Sequence, residues 1–120
     1  MVREQNGRPV LFMTWAYADR PEMTAQLNAA YTDMGRELGA QVVPVGLAFA
    51  AVTDERSEIV LRMDDTRHPT LAGTYLAACT FFAALFNQSP EGLEYSAGLD
   101  TSDAEFLQKI AWETVLNYQE

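Results

Sequence analysis

Val10-Leu11-Phe12-Met13-Thr14-Trp15 and Gln41-Val42-Val43-Pro44-Val45 are the two runs that decide the fold. The first is apolar almost throughout and follows Gly7 and Pro9. A short apolar run bounded by turn residues fits a strand buried on both faces, as in a parallel sheet. Between the two runs, Asp19 and Pro21 signal a helix start. Met23, Leu27, Ala30, Tyr31, Met34 and Leu38 then recur at spacings of three and four, with Glu22, Gln26, Asp33 and Glu37 on other faces. This is an amphipathic helix, and Gly39 is a natural stop for it. Strand, helix and strand in this order make a βαβ unit, whose strands run parallel.

Downstream, Gly46 is followed by Leu47-Ala48-Phe49-Ala50-Ala51-Val52, which reads as a short helix. Ser57 to Met63 alternates, with Ile59, Leu61 and Met63 on one face, and fits a short extended segment. From Pro69 to about Phe86 the chain is apolar on most sides, so the helix expected there is covered on more than one face. Pro69 suits the first helical position, which puts His68 at or near the N-cap. Asn87 to Gly92 is a loop. Ser102-Asp103-Ala104-Glu105 has the pattern of a capping box. It opens a last helix with Leu107, Ile110, Ala111, Thr114 and Tyr118 in one stripe.

The expectation is therefore α/β: a short parallel sheet of two to three strands and about four helices. The Val10 strand has one neighbour within this chain, and its other edge should be open. A bare apolar edge is an aggregation liability. The rest of the sheet is expected elsewhere, either N-terminal to Met1 in a longer parent or on another chain. Residues 1–120 then form a single incomplete α/β domain, covered by its missing N-terminal half or by a second copy in a homodimer.

Bulk properties narrow the function classes. A chain of 120 residues with 48% hydrophobic residues can bury one core. The net charge of -9, from 17 acidic and 8 basic residues, argues against nucleic acid and against an anionic membrane surface. Cys79 is the sole cysteine, which excludes an internal disulfide and a Cys-based zinc site. Its place in the middle of an apolar helix fits a buried, inert thiol. The start Met1–Pro9 is polar and the Val10–Trp15 run is too short for a signal core, so no signal peptide is read in this chain. Leu71–Phe86 is shorter than the roughly 20 residues that span a bilayer.

Chemistry concentrates in Met63-Asp64-Asp65-Thr66-Arg67-His68-Pro69-Thr70. His68 is the sole histidine. A carboxylate three residues earlier can fold back, accept the Nδ1 proton and leave Nε2 free to take another. In open parallel sheets, ligands bind beyond the carboxyl ends of the strands. That edge carries Thr14-Trp15-Ala16-Tyr17 and Pro44-Val45-Gly46, and Trp15 is a candidate substrate platform there. Plainer readings stand beside these. His68 could be an ordinary loop residue, Asp64 and Asp65 turn residues, Trp15 rim packing, and Gly46 a tight-turn residue. A metal site at Asp64, Asp65 and His68 would be under-ligated, so neither a metal nor any other cofactor is expected.

Asp65-Thr66-Arg67-His68-Pro69 resembles the Asp-x-x-His-Pro block near the C-terminus of SGNH/GDSL-type serine hydrolases. Leu11-Phe12-Met13-Thr14-Trp15, Val43-Pro44-Val45-Gly46-Leu47-Ala48 and His68 through Cys79 resemble bacterial members of that superfamily in the same order. The likeness runs from about Val10 to Tyr118. It implies a flavodoxin-like three-layer sandwich and hydrolysis of an ester, with acetylated carbohydrate or another small-molecule ester as substrate. It also implies that His68 is the general base and Asp65 the residue that orients it, with Asp64 the lesser candidate. Three blocks of that family are absent. There is no Gly-Asp-Ser turn, and Ser57, Ser89, Ser96 and Ser102 lack its setting. Asn6, Asn28, Asn87 and Asn117 do not stand in a Gly-x-Asn pattern. The resemblance is to the C-terminal half of such a hydrolase. Such a half is inactive alone, part of a split enzyme, or a non-enzymatic interaction module.

Overall fold

The computed structural model describes residues 9–119. The polar start, read above as holding no signal segment, lies outside the described residues as far as Arg8. In chain order the elements are β1 (Val10–Phe12), α1 (Met23–Leu38), β2 (Gln41–Val43), α2 (Val45–Glu55), α3 (Leu71–Phe86) and α4 (Thr101–Tyr118). The protein is α/β, with four helices and a two-stranded parallel sheet among the described residues. β1 and β2 pair in the register Val10–Gln41, Leu11–Val42 and Phe12–Val43.

Side-chain alternation along a strand sets the layers. Val42 lies against Gly35 of α1, where a β-carbon would crowd it. Gln41 and Phe12 point to the opposite face and meet α3. The Gln41 amide donates to the Ala84 carbonyl at 2.8 Å, and the Phe12 and Phe81 rings meet edge-on at 4.9 Å. Helices thus cover both faces of the sheet. The main core lies between α2, α3 and α4 and is built from Phe49, Val52, Leu76, Ala83, Leu107 and Ala111. Cys79 is buried within it. No helix among the described residues is long and apolar enough to cross a membrane.

Several boundaries differ from those expected, each for a local reason. β2 stops at Val43 because Pro44 has no N–H to extend the ladder and instead precedes α2. Val45 therefore belongs to a helix that runs on to Glu55, beyond the expected Val52. Ser57–Met63 is not a strand. Ile59 and Leu61 do point into the core, but the segment's sole β-bridge joins Arg62 to Pro69. With Pro69 in that bridge, α3 starts later than expected, and its N-cap is Thr70 rather than His68. The Thr70 hydroxyl accepts the Gly73 N–H at 3.1 Å, a capping bond that neither Pro nor His provides in that way. The capping box at Ser102 does not form. α4 starts at Thr101, and the Ser102 hydroxyl donates to the Asp100 carboxylate at 3.0 Å instead.

β1 is not buried on both faces. Val10 is 41% exposed and Phe12 39%. Its outer edge has no neighbouring strand among the described residues. The apolar stripe of α1 is also incompletely covered, with Met34 and Leu38 exposed.

Candidate active site

The Asp65–His68 turn is the tip of a short loop closed by main-chain bonds. The Met63 N–H donates to the His68 carbonyl at 2.7 Å, and the Thr70 N–H to the Leu61 carbonyl at 2.9 Å. Between them the chain reverses through Thr66, whose φ of 66° lies in the left-handed region that a β-branched residue rarely occupies. Asp65 holds that conformation together. Its Oδ1 accepts the N–H groups of Arg67 and His68, each at 3.0 Å. Its Oδ2 meets His68 Nδ1 in a short contact.

Both oxygens of Asp65 are thus engaged by groups that favour the carboxylate. The Arg67 N–H, then the His68 ring and the His68 N–H, hold its pKa down at about 2. The His68 side chain is 75% exposed and that of Asp65 47%. Among the described residues, His68 Nε2 makes no hydrogen bond, so this nitrogen faces solvent with its ring orientation set by Asp65. The Asp64 carboxylate, the lesser candidate, takes no part in this bonding.

The turn is fastened to the loop after β1 at several points. The Ala18 N–H donates to the Thr66 carbonyl at 3.0 Å, and the Thr66 hydroxyl to the Asp19 carboxylate at 3.2 Å. The Arg67 guanidinium lies 4.5 Å from the centre of the Tyr17 ring. The Trp15 indole N–H donates to the Arg67 carbonyl at 2.7 Å. His68 and Asp65 therefore sit beside the carboxyl end of β1, which is the edge expected from the sheet.

Trp15 is stacked on Phe49, with ring centres 4.4 Å apart and planes within 5°. One ring face and the indole N–H are thus already engaged. The geometry makes Trp15 a brace between the core and the His68 turn. Arg62 does similar work from below, where its Nε donates to the Ala16 carbonyl at 2.6 Å and its guanidinium lies over Phe49. Gly46 is more than a turn residue. A β-carbon there would collide with the Thr14 carbonyl, so its absence lets α2 start against the loop after β1.

Sequence reasoning missed Arg62, Thr66, Arg67 and Asp19 as supports of the turn. Their contributions are mostly main-chain contacts or long-range contacts, which leave no spacing pattern. Among the described residues, no serine is bonded to Asp65 or His68. The Ser89 hydroxyl is bonded to Glu91 and that of Ser102 to Asp100.

No model of a known protein family matches this chain, and no curated protein matches it. Among solved structures, the crystal structure of a DUF4886 family protein from Bacteroides uniformis ATCC 8492 is similar, with a TM-score of 0.85 at 24% sequence identity. The match covers 98% of this chain and 52% of that one, so this chain spans about half the length of its structural neighbour. The likeness is one of fold.

Proposed function

We propose that this chain carries the general-base half of a serine ester hydrolase of the SGNH/GDSL type. The observation that carries the proposal is the Asp65 carboxylate engaging Nδ1 of His68 while Nε2 stays open to solvent. The position of the pair at the carboxyl end of β1 supports it, as does the ordered likeness of three sequence blocks to that superfamily.

In this mechanism a serine hydroxyl supplied from outside residues 1–120 gives its proton to His68 Nε2 and attacks the acyl carbonyl. Asp65 keeps Nδ1 protonated and stabilises the imidazolium that forms. His68 then returns the proton to the leaving alcohol. Water, activated by the same nitrogen, releases the acid. Trp15 serves as a brace for the turn. An acetyl or other small acyl ester, on a carbohydrate or another alcohol, is the substrate class.

With the nucleophile and the Gly and Asn oxyanion blocks absent from this sequence, the isolated chain should not turn over p-nitrophenyl acetate. Supplied with a Gly-Asp-Ser-bearing half, it should do so, and His68→Ala should lower turnover by about three orders of magnitude or more. Turnover indifferent to His68 would overturn the proposal.

A further inference from the structure

We propose that the cavity between the loop after β1, the start of α1 and the end of α2 binds a small carboxylate with an apolar body, held at its charged end by Arg62. The cavity is about 430 Å³, within the roughly 300–1,000 Å³ of small-molecule sites. Ala16, Ala18, Pro21, Ala25 and Ala50 make most of its wall apolar. Such sites hold a ligand's body on apolar walls and fix its orientation with a few placed polar groups.

Arg62 is the cation on this wall. Elsewhere among the described residues cations meet carboxylates. Arg20 pairs with Glu22, Arg36 with Asp33, Arg56 with Glu58 and Asp103, and Lys109 with Glu113. Arg62 pairs with no carboxylate among those residues, in a chain of net charge -9. Its Nε is engaged by the Ala16 carbonyl. Its terminal nitrogens make no hydrogen bond among the described residues, where no buried side-chain nitrogen lacks a partner. These nitrogens therefore meet open space, and the space that Arg62 lines is this cavity. Burial holds the guanidinium pKa below its ordinary value, with no carboxylate to raise it. A guanidinium fork placed this way matches both oxygens of a carboxylate.

The start of α1 favours the same charge. Thr24 and Ala25 stand on the wall, and the helix has no side-chain cap and no acidic residue in its first turn. Its positive end attracts an anion. Glu22, just before it, is paired with Arg20. Asp54 is the carboxylate on the wall, and it opposes an anion. It is exposed and not bonded to Arg62, so solvent weakens that repulsion. Ester hydrolysis releases an acid of this class. Reading the ligand as the reaction product rests on the esterase proposal, whereas the site itself rests on the cavity and Arg62.

Hexanoate is the probe, titrated into the 120-residue chain and followed by amide and arginine Nε signals in NMR. The expected result is saturable shifts at Ala18, Ala25, Thr53 and the Arg62 Nε, with a Kd of about 1 mM or tighter. 1-Hexanol has the body without the charge, and acetate the charge without the body. Each should bind about tenfold more weakly or worse. Arg62→Lys keeps the charge, loses the fork and should weaken hexanoate about tenfold. Arg62 also supports the loop at Ala16, so a second variant is needed. Ala25→Glu, at an exposed position in the first turn of α1, sets a negative charge on the wall at a place where the helix tolerates it, and should weaken binding by a similar factor. Asp54→Asn removes the opposing charge and should tighten binding, a gain that misfolding cannot mimic. Absence of saturation with hexanoate up to about 20 mM overturns the inference. So does 1-hexanol or acetate binding as tightly as hexanoate, or hexanoate binding untouched by both Arg62→Lys and Ala25→Glu. Hexanoate binding without His68-dependent ester hydrolysis, once a Gly-Asp-Ser-bearing half is supplied, leaves the site standing and removes the esterase proposal.

Discussion

Trp15→Phe isolates what one hydrogen bond does for the His68 turn. The substitution keeps an aromatic ring against Phe49 and removes the indole N–H that reaches the Arg67 carbonyl at 2.7 Å. A typical intramolecular hydrogen bond contributes about 1 kcal/mol net. The Arg67 carbonyl is close to solvent, so water can replace the lost donor and no larger penalty for a buried orphan applies. Some ring area is lost as well, which brings the expected destabilisation to about 1–2 kcal/mol. For a chain of this size that lowers Tm by about 4–8 °C, measurable by thermal or urea denaturation. A second readout separates bracing from packing. The Asp65 carboxyl is held at about 2 mainly by the Arg67 N–H. Once the Arg67 carbonyl is released, the turn loosens and the Asp65 titration, followed by carbon-13 NMR, should move up toward its unperturbed 3.8. Lost stability with the Asp65 midpoint unmoved would refute the bracing role and leave Trp15 as packing alone.

Asp65 also makes stability depend on pH. Its pKa is lower in the folded chain than in the unfolded one, so its contribution is fully present above about 3.8 and is lost as pH falls through about 2. Compared with Asp65→Asn, the wild type should hold its full advantage in urea midpoint near pH 5 and lose it as pH approaches 2. A difference that stays constant over that window would contradict the bonding described for this carboxylate. Burial pushes the Cys79 thiol up to about 11, although Tyr75 beside it pulls the other way. Labelling by a thiol reagent at pH 8 should therefore be slow in the folded chain and should speed up with denaturant. Rapid labelling without denaturant would mean that the packing of α3 is looser than described.

Where a residue's role follows from a repeat along one element, the sequence carried it. α1 and α4 follow from their apolar periodicity, α2 and α3 from runs that are apolar on most sides, and the parallel pair from two apolar runs flanking an amphipathic helix. Asp65 and His68 were legible because their bond is local, three residues apart in one turn. The start of α3 was not. Pro69 suits a first helical turn in isolation, but its bridge to Arg62 and the Thr70 cap depend on where Leu61 packs. The false strand at Ser57–Met63 has the same origin, since Ile59 and Leu61 alternate correctly but have no strand beside them. Trp15 could be placed at the site edge from sequence, yet its indole partner lies 52 residues away and is a main-chain carbonyl. The positive φ of Thr66 runs against local preference, and the surrounding bonds to Asp19 and Ala18 impose it.

The tautomer of His68 tests the general-base pair most directly. Imidazole free in water favours the proton on Nε2, whereas a carboxylate at Nδ1 draws it there and frees Nε2 as an acceptor. A long-range proton–nitrogen spectrum of the chain near pH 8 should show His68 protonated at Nδ1 with Nε2 bare, and Asp65→Asn should weaken that preference. A ring carrying its proton on Nε2, or one unaffected by Asp65→Asn, would mean that this imidazole is not held ready to accept a proton from a nucleophile.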